Sequence, residues 1–144
     1  MTIPLRVFVY GTLKPGECNY PLYCQGKTLS EQPVYTYGRL YDLNLGYPGM
    51  TVGDQKVYGY LLVFSSVEVL ADLDQLETYD GDRPSQENEY DRCLVDIYDL
   101  AGNLLEPAWG YLMRWQTVQR YDGMPIPSGI WSNPHRPPMY LSDL

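Results

Sequence analysis

The chain has 144 residues, of which 44% are hydrophobic and 14% aromatic, so it can bury the core of one ordinary domain. Its net charge is −8, and its ten Lys and Arg residues are scattered singly, without the basic cluster that nucleic acids and anionic membranes require. No apolar run reaches the ~18 residues of a membrane-spanning helix, and the N-terminus enters a strand pattern without a signal-peptide core. We expect one domain over residues 1–144, in the cytosol, without nucleic-acid or membrane partners.

The cysteines are odd in number and lack metal-ligand spacing. Cys18, Cys24 and Cys93 include no C-x-x-C pair, and His135 is the single histidine. Three cysteines and one histidine could hold zinc by count alone, but their spacing matches no zinc module. We therefore predict reduced structural thiols and no metal site.

Short strand patterns, separated by glycine and proline turns, run along most of the chain. The segment 14–29 has turn residues at both ends with room for one helical turn, and 44–55 is typical of a loop or broken hairpin. The Pro-rich residues 121–144 are expected to follow an irregular surface path. The predicted strands cover residues 5–13, 33–43 with a possible bulge at Gly38, 56–64, 90–100 and 106–115.

One segment is predicted to be helical, "SSVEVLADLDQLETYDG", with the helix over residues 66–79. Ser65 and Glu68 fit the capping box, in which hydroxyl and carboxylate bind the first free amides, and Gly81 is a plausible terminator. Five or so strands with one helix between them and no regular βαβ alternation predict the α+β class. Frequent glycines in short strands favour a small closed or nearly closed β-barrel.

A carboxylate lies within the apolar stripe of this helix. Glu77 follows Leu70 by seven residues and Leu73 by four, whereas Asp72 is on the polar face and Asp74 at the margin. Burial and the negative end of the helix dipole would both raise the pKa of Glu77, as is typical of a functional acid. The alternative is a frayed helix end whose last residue turns to water. The apolar stripe consists of Val69, Leu70, Leu73 and Leu76.

Other catalytic arrangements have little support. A Ser-His-Asp or Cys-His site would need His135, whose "NPHRPP" context gives poor control of the imidazole. The glycines of "YGTLKPG" form neither a Walker loop nor a G-x-G-x-x-G motif. A carboxylate acid or base beside a glycine loop is the arrangement that remains.

These two features together resemble the γ-glutamylcyclotransferase-like superfamily, which includes γ-glutamylamine cyclotransferases and AIG2-like proteins. The resemblance rests on "VFVYGTLKPG" near the N-terminus and "LDQLETYDG" some sixty residues later. It extends, in the family's order, to "GYPGM", "VYGYLLVF", "YDRCLVDIY" and "AWGYL".

The resemblance implies a small mixed β-barrel with flanking helices and a cyclotransferase activity on a small γ-glutamyl compound. Glu77 matches the catalytic glutamate, which would take a proton from the substrate's α-ammonium. The amine would then attack the γ-carbonyl, giving 5-oxoproline and a free amine or amino acid, with no metal or cofactor. The residues that the resemblance assigns to the substrate cavity are Tyr10, Gly11, Thr12 and Leu13, together with Tyr111 in the late strand.

The glycine loop has a physical rationale for this role. A glycine after a strand lets the backbone approach a ligand, and consecutive amides can bind a carboxylate or a developing oxyanion. The alternative is an ordinary tight turn. The segment 16–27 would shape the leaving-group pocket, and the sequence identifies neither the leaving amine nor the oligomeric state.

Three other functions fit the same residues less well. The chain could be a non-catalytic binder of a small amino-acid derivative, although a binder has no need of an acid on an apolar stripe. It could remove a γ-glutamyl protecting group from a biosynthetic intermediate. It could also be a tyrosine-rich interaction domain, although no exposed apolar stripe is visible.

Overall fold

The computed structural model of the chain describes residues 4–132. The tail prediction therefore applies here only up to residue 132, and His135 lies outside the described residues. The elements are, in order, β1 (Leu5–Val9), α1 (Tyr20–Tyr23), β2 (Thr28–Asp42), β3 (Pro48–Phe64), α2 (Val69–Leu76), a 3-10 turn (Ser85–Glu87), β4 (Asp91–Val95), β5 (Tyr98–Asp99), β6 (Ala108–Leu112), α3 (Trp115–Arg120) and β7 (Met124–Pro125).

The strands form one mixed sheet in the order β4-β6-β1-β3-β2-β5, with β7 paired to β2. β1 and β6 are parallel, and the other pairs are antiparallel. β4 and β5 lie at opposite ends of this order, yet only Asp96 and Ile97 separate them in the chain. Two residues span less than about 10 Å, so the sheet must curl to bring its edges together. The predicted α+β barrel-like fold is therefore confirmed, as a curled half-barrel.

A long antiparallel hairpin of β2 and β3 forms much of this sheet. The predicted bulge is present, because the pairing register shifts between Gly38 and Arg39. Of the two expectations for 44–55, a loop or a broken hairpin, the second is correct from Pro48 onward, where β3 begins. Its pairing with β2 is interrupted between Thr51 and Gln55. The turn is stabilised locally instead, by a 2.9 Å hydrogen bond from the Asn44 amide to Asp42 Oδ1.

The two faces of the sheet pack against separate hydrophobic clusters. Leu5, Val7 and Val9 alternate along β1 into one cluster, whereas Phe8 and Tyr10 belong to the other. The first cluster also contains Leu73 of α2 and Val118 of α3, so the helices cover that face. The second cluster contains residues of β1, β2, β3 and β6, together with Ile97 and Trp131.

The helix over 66–79 is shorter than predicted, and the capping box was wrong. Glu68 is at the N-cap position without a side-chain cap bond, and its amide donates to Ser66 Oγ at 3.1 Å. The helix ends at Leu76 because Thr78, rather than Gly81, takes the left-handed conformation, at φ 54°. Residues 65–68 instead form the connection between β3 and α2.

Several further elements were not predicted. The segment 90–100 is two strands rather than one, and neither α3 nor the 3-10 turn had a sequence signal. The irregular surface path expected from residue 121 was wrong at two places, since β7 pairs with β2 and Trp131 is buried in the second hydrophobic cluster. Among residues 4–132 no helix is long and apolar enough to cross a membrane.

Candidate active site

A cavity of about 290 Å³ lies between the loop after β1, the C-terminus of α2 and strand β6. This volume is at the small end for ligand pockets and suits a ligand of amino-acid size. The six residues that the sequence singled out all line it: Tyr10, Gly11, Thr12, Leu13, Glu77 and Tyr111.

The loop from Tyr10 to Leu13 presents its backbone to this cavity. The hydrogen bonds that close the loop run from the Lys14 amide to Gly11 O at 3.1 Å and from the Asn19 amide to Thr12 O at 2.9 Å. Among the backbone bonds of residues 4–132 outside the strands and helices, the amides of Gly11, Thr12 and Leu13 do not act as donors. Consecutive amides of this kind can bind a carboxylate or an oxyanion.

Gly11 is required by packing rather than by backbone conformation. A Cβ at this position would lie 2.8 Å from the ring of Pro48, which also lines the cavity. Any larger residue would push the loop away from β3 and change the shape of the site.

The Tyr10 hydroxyl, directly after β1, hydrogen-bonds to the backbones of β6 and β3. It donates to the Tyr111 carbonyl at 2.6 Å and accepts from the Met50 amide at 3.2 Å. Burial, and next the nearby Glu77 charge, raise the pKa of Tyr10. Tyr10 therefore contributes a rigid ring to the cavity wall, with its hydroxyl already satisfied by the backbone.

Glu77 is the C-cap residue of α2, and the backbone beyond it is fixed by a Schellman motif. The Thr78 amide donates to Gln75 O at 3.2 Å, and the Tyr79 amide donates to Asp74 O at 2.9 Å. A left-handed backbone is unusual for the β-branched Thr78 and is typical of functional sites. The turn carries Glu77 to the cavity instead of into solvent.

The environment of Glu77 favours its protonated form. Burial raises the pKa of this carboxyl, and the charge of Glu89 raises it further, to about 8. The direction is the one predicted from the apolar stripe, but Glu89 was not foreseen as a cause. An acid with a pKa near neutrality can both accept and return a proton at physiological pH.

Tyr111 is oriented by an ion pair outside the cavity lining. Its hydroxyl donates to Asp74 Oδ1 at 2.7 Å, and Asp74 Oδ2 pairs with Arg92 Nη1 at 2.5 Å. The Arg92 guanidinium also lies over the Trp109 ring, 4.8 Å from its centroid. Burial and the bond to Asp74 raise the pKa of Tyr111, so its hydroxyl remains a proton donor.

Glu89 is the main site residue that the sequence reasoning missed. It lines the cavity together with Tyr47 and Tyr90, which were also missed. In the sequence Glu89 lies in the polar segment "SQENEY", where a solvated carboxylate is the ordinary expectation. Its amide donates to Thr78 O at 3.2 Å, and this contact between distant turns brings it to the cavity.

The cysteines and the acidic side chains form no metal cluster in residues 4–132. Cys18 is exposed, Cys24 buried and Cys93 half-buried, and all three are free thiols.

The fold is that of the AIG2-like proteins. The structure superposes on that of an AIG2-like protein from Mus musculus with a TM-score of 0.65. The match covers 94% of this chain and 99% of the mouse chain at 21% sequence identity. At that identity the likeness establishes the fold alone.

The sequence identifies the family within this class. The family described as γ-glutamyl cyclotransferase, AIG2-like matches residues 7–133, and the chain belongs to it. The γ-L-glutamyl-butirosin B γ-glutamyl cyclotransferase of Niallia circulans is 35% identical over 107 residues, 74% of this chain; the chain spans 65% of that enzyme's length. A Vibrio cholerae protein whose name places it among γ-glutamylcyclotransferases is 39% identical over 125 residues, 87% of this chain and 93% of that protein.

Proposed function

We propose that this protein is a γ-glutamyl cyclotransferase that releases 5-oxoproline and a free amine from a small γ-glutamyl compound, with Glu77 as the base and acid. The observation that carries the proposal is the half-buried Glu77 carboxyl, which lines the same small cavity as Gly11, Thr12 and Leu13. The surroundings raise the pKa of this carboxyl to about 8, and within residues 4–132 the three loop amides donate no backbone hydrogen bond outside the strands and helices.

The reaction needs two protons to move from one nitrogen to another. Ionised Glu77 takes a proton from the substrate's α-ammonium, and the free amine attacks the γ-carbonyl to close a five-membered ring. The bond from the γ-carbon to the leaving nitrogen then breaks. The α-nitrogen loses two protons and the leaving nitrogen gains two, so one carboxyl that alternates between base and acid balances the reaction.

The loop and the cavity walls supply binding and geometry in this proposal. The amides of Gly11, Thr12 and Leu13 hold an anionic oxygen of the glutamyl group. Tyr10 and Tyr111 hold the glutamyl chain curled, since intramolecular geometry accounts for much of the acceleration in a ring closure.

In this proposal the outer part of the cavity determines which leaving amine the enzyme accepts. The Niallia circulans relative acts, by its name, on γ-L-glutamyl-butirosin B. That name supports one of the alternative functions that the sequence allows, the removal of a γ-glutamyl protecting group from a biosynthetic intermediate.

The test is release of 5-oxoproline from a panel of γ-glutamyl amines, amino acids and peptides. For any substrate that is turned over, acetylation of the α-amine should abolish the reaction, because the acetylated nitrogen is no longer a nucleophile. Cleavage of the acetylated compound at an ordinary rate would indicate hydrolysis by water instead. Binding of γ-glutamyl compounds without any 5-oxoproline release would favour the non-catalytic binder.

A further inference from the structure

Glu89 is held in the cavity by two phenols. Its Oε1 accepts from the Tyr47 hydroxyl at 3.1 Å and its Oε2 from the Tyr121 hydroxyl at 2.9 Å. Both carboxylate oxygens are thus acceptors, as in an ionised carboxylate. Burial, and next the Glu89 charge, raise the pKa of Tyr47 to about 12, so the Tyr47 hydroxyl stays protonated and remains a donor.

The charges in the cavity are unbalanced. Glu77 and Glu89 both line it, and its lining within residues 4–132 includes no Lys, Arg or His. The two carboxylates are close enough for the charge of Glu89 to raise the pKa of Glu77. A carboxylate in a cavity whose described lining holds no cationic side chain is an environment that favours a positively charged ligand group.

Glu77 cannot serve as both the proton acceptor and the permanent anchor of the ammonium. Once it has taken the proton it is neutral, and its charge no longer attracts a cationic group of the ligand. Glu89 has no proton-transfer role in the proposed reaction, and its two phenol donors hold the carboxylate group in one orientation.

We propose that Glu89 is a substrate-binding residue, whose carboxylate, held by Tyr47 and Tyr121, binds the α-ammonium of the γ-glutamyl group beside Glu77. The proposal rests on the proposed function, because it takes the γ-glutamyl group as the ligand. In this arrangement the loop amides bind the α-carboxylate and Glu89 binds the α-ammonium. The two contacts together would select for an α-amino acid group at this end of the substrate.

The test compares two probes that differ only in the ammonium group, L-glutamine and glutaramate, which is glutamine without its α-amine. Binding is measured by NMR titration in Glu77→Gln, where turnover is blocked, and in Glu77→Gln/Glu89→Gln. We expect Glu77→Gln to prefer L-glutamine. Adding Glu89→Gln should weaken glutamine binding by about 10- to 100-fold, the value of a hydrogen bond to a charged group, and should leave glutaramate binding unchanged or slightly stronger.

Two further variants separate binding from folding. Glu87→Gln removes an exposed carboxylate from the adjacent 3-10 turn and should change neither affinity. Tyr121→Phe removes one donor to Glu89 without altering the cavity lining, and should weaken glutamine binding by a smaller factor. If the Glu77→Gln/Glu89→Gln protein does not fold, the proposal is tested by the effect of Tyr121→Phe, added to Glu77→Gln, on glutamine binding.

The proposal would be overturned if Glu89→Gln weakened the binding of glutamine and glutaramate equally, or if the preference for glutamine remained in that variant. A parent that binds the two probes equally would also overturn it. Failure of the proposed function has a different signature: no 5-oxoproline from the unmodified protein, with discrimination between the two probes intact.

Discussion

The raised pKa of Glu77 links the chemistry of this residue to the stability of the protein. The carboxyl titrates near 4.5 in an unfolded chain and at about 8 in the folded protein. Between these values the folded state holds a proton that the unfolded state releases, so the free energy of unfolding decreases as the pH rises through this range. Above the folded pKa the full destabilisation is present, and below the unfolded pKa it is absent.

Glu77→Gln should therefore have opposite effects on activity and stability. Glutamine keeps the volume but cannot ionise, so 5-oxoproline release should fall by roughly 100- to 10,000-fold. The variant should be more stable than the parent by about 1–3 kcal/mol near pH 7 and equally stable below pH 4.5. Urea unfolding of both proteins across this pH range measures the difference.

Asp72 provides the control, since it lies exposed on the same helix. Asp72→Asn should leave both the activity and the pH dependence of stability close to those of the parent. A Glu77→Gln protein that still releases 5-oxoproline at a near-normal rate would show that Glu77 is not the base.

The C-terminus of α2 stores backbone strain next to this residue. Thr78 has a φ of 54°, which a β-branched side chain disfavours by roughly 1–2 kcal/mol. Thr78→Gly should relieve this strain and stabilise the protein by about 1 kcal/mol, whereas Gln75→Gly, at an exposed position inside the same helix, should destabilise it by about the same amount. Thermal unfolding of the two variants tests the contrast, and a loss of stability in Thr78→Gly would show that its side-chain contacts outweigh the strain.

The helices and strands could be predicted where the local sequence pattern determines them, and less well where tertiary packing does. The apolar stripe of α2 predicted the helix, and Leu73 is fully buried as that stripe requires. The end of α2 at Leu76 was not predictable, because it depends on the left-handed conformation of Thr78, a position where glycine is the expected residue. α3 has only six residues, and the burial of Thr117 and Val118 rather than intrinsic propensity accounts for it.

The same distinction applies to the candidate site. Tyr10–Leu13 and Glu77 each carry a local signal, a glycine after a strand and an acid on an apolar stripe. Glu89 carries none, since its position depends on the contact between its amide and the Thr78 carbonyl. The pairing of the two carboxylates is a property of the tertiary structure.

At the scale of the whole molecule, the parallel pair of β1 and β6 positions the cavity. Parallel neighbours have their carboxyl ends at the same edge of a sheet, so the loop after Val9 and the side chain of Tyr111 come together there. The curl of the sheet then brings the remaining strands around the second hydrophobic cluster. Close contact between β1 and β3 is part of this arrangement, and Gly59 permits it.

Gly59→Ala should disrupt both the sheet and the site. A Cβ at this position would lie 2.2 Å from the Val9 carbonyl oxygen, directly before the Tyr10–Leu13 loop, and backbone cannot yield as a side chain can. We expect a destabilisation of about 3 kcal/mol or more, together with weaker binding of γ-glutamyl ligands, since β1 must move. Gly110→Ala is the matched control, because the closest atom to its Cβ would belong to the Val95 side chain, at 3.3 Å, and the nearest backbone atom would lie at an ordinary 4.0 Å. If urea unfolding finds the two variants equally stable, the close approach of β1 to β3 does not constrain this fold.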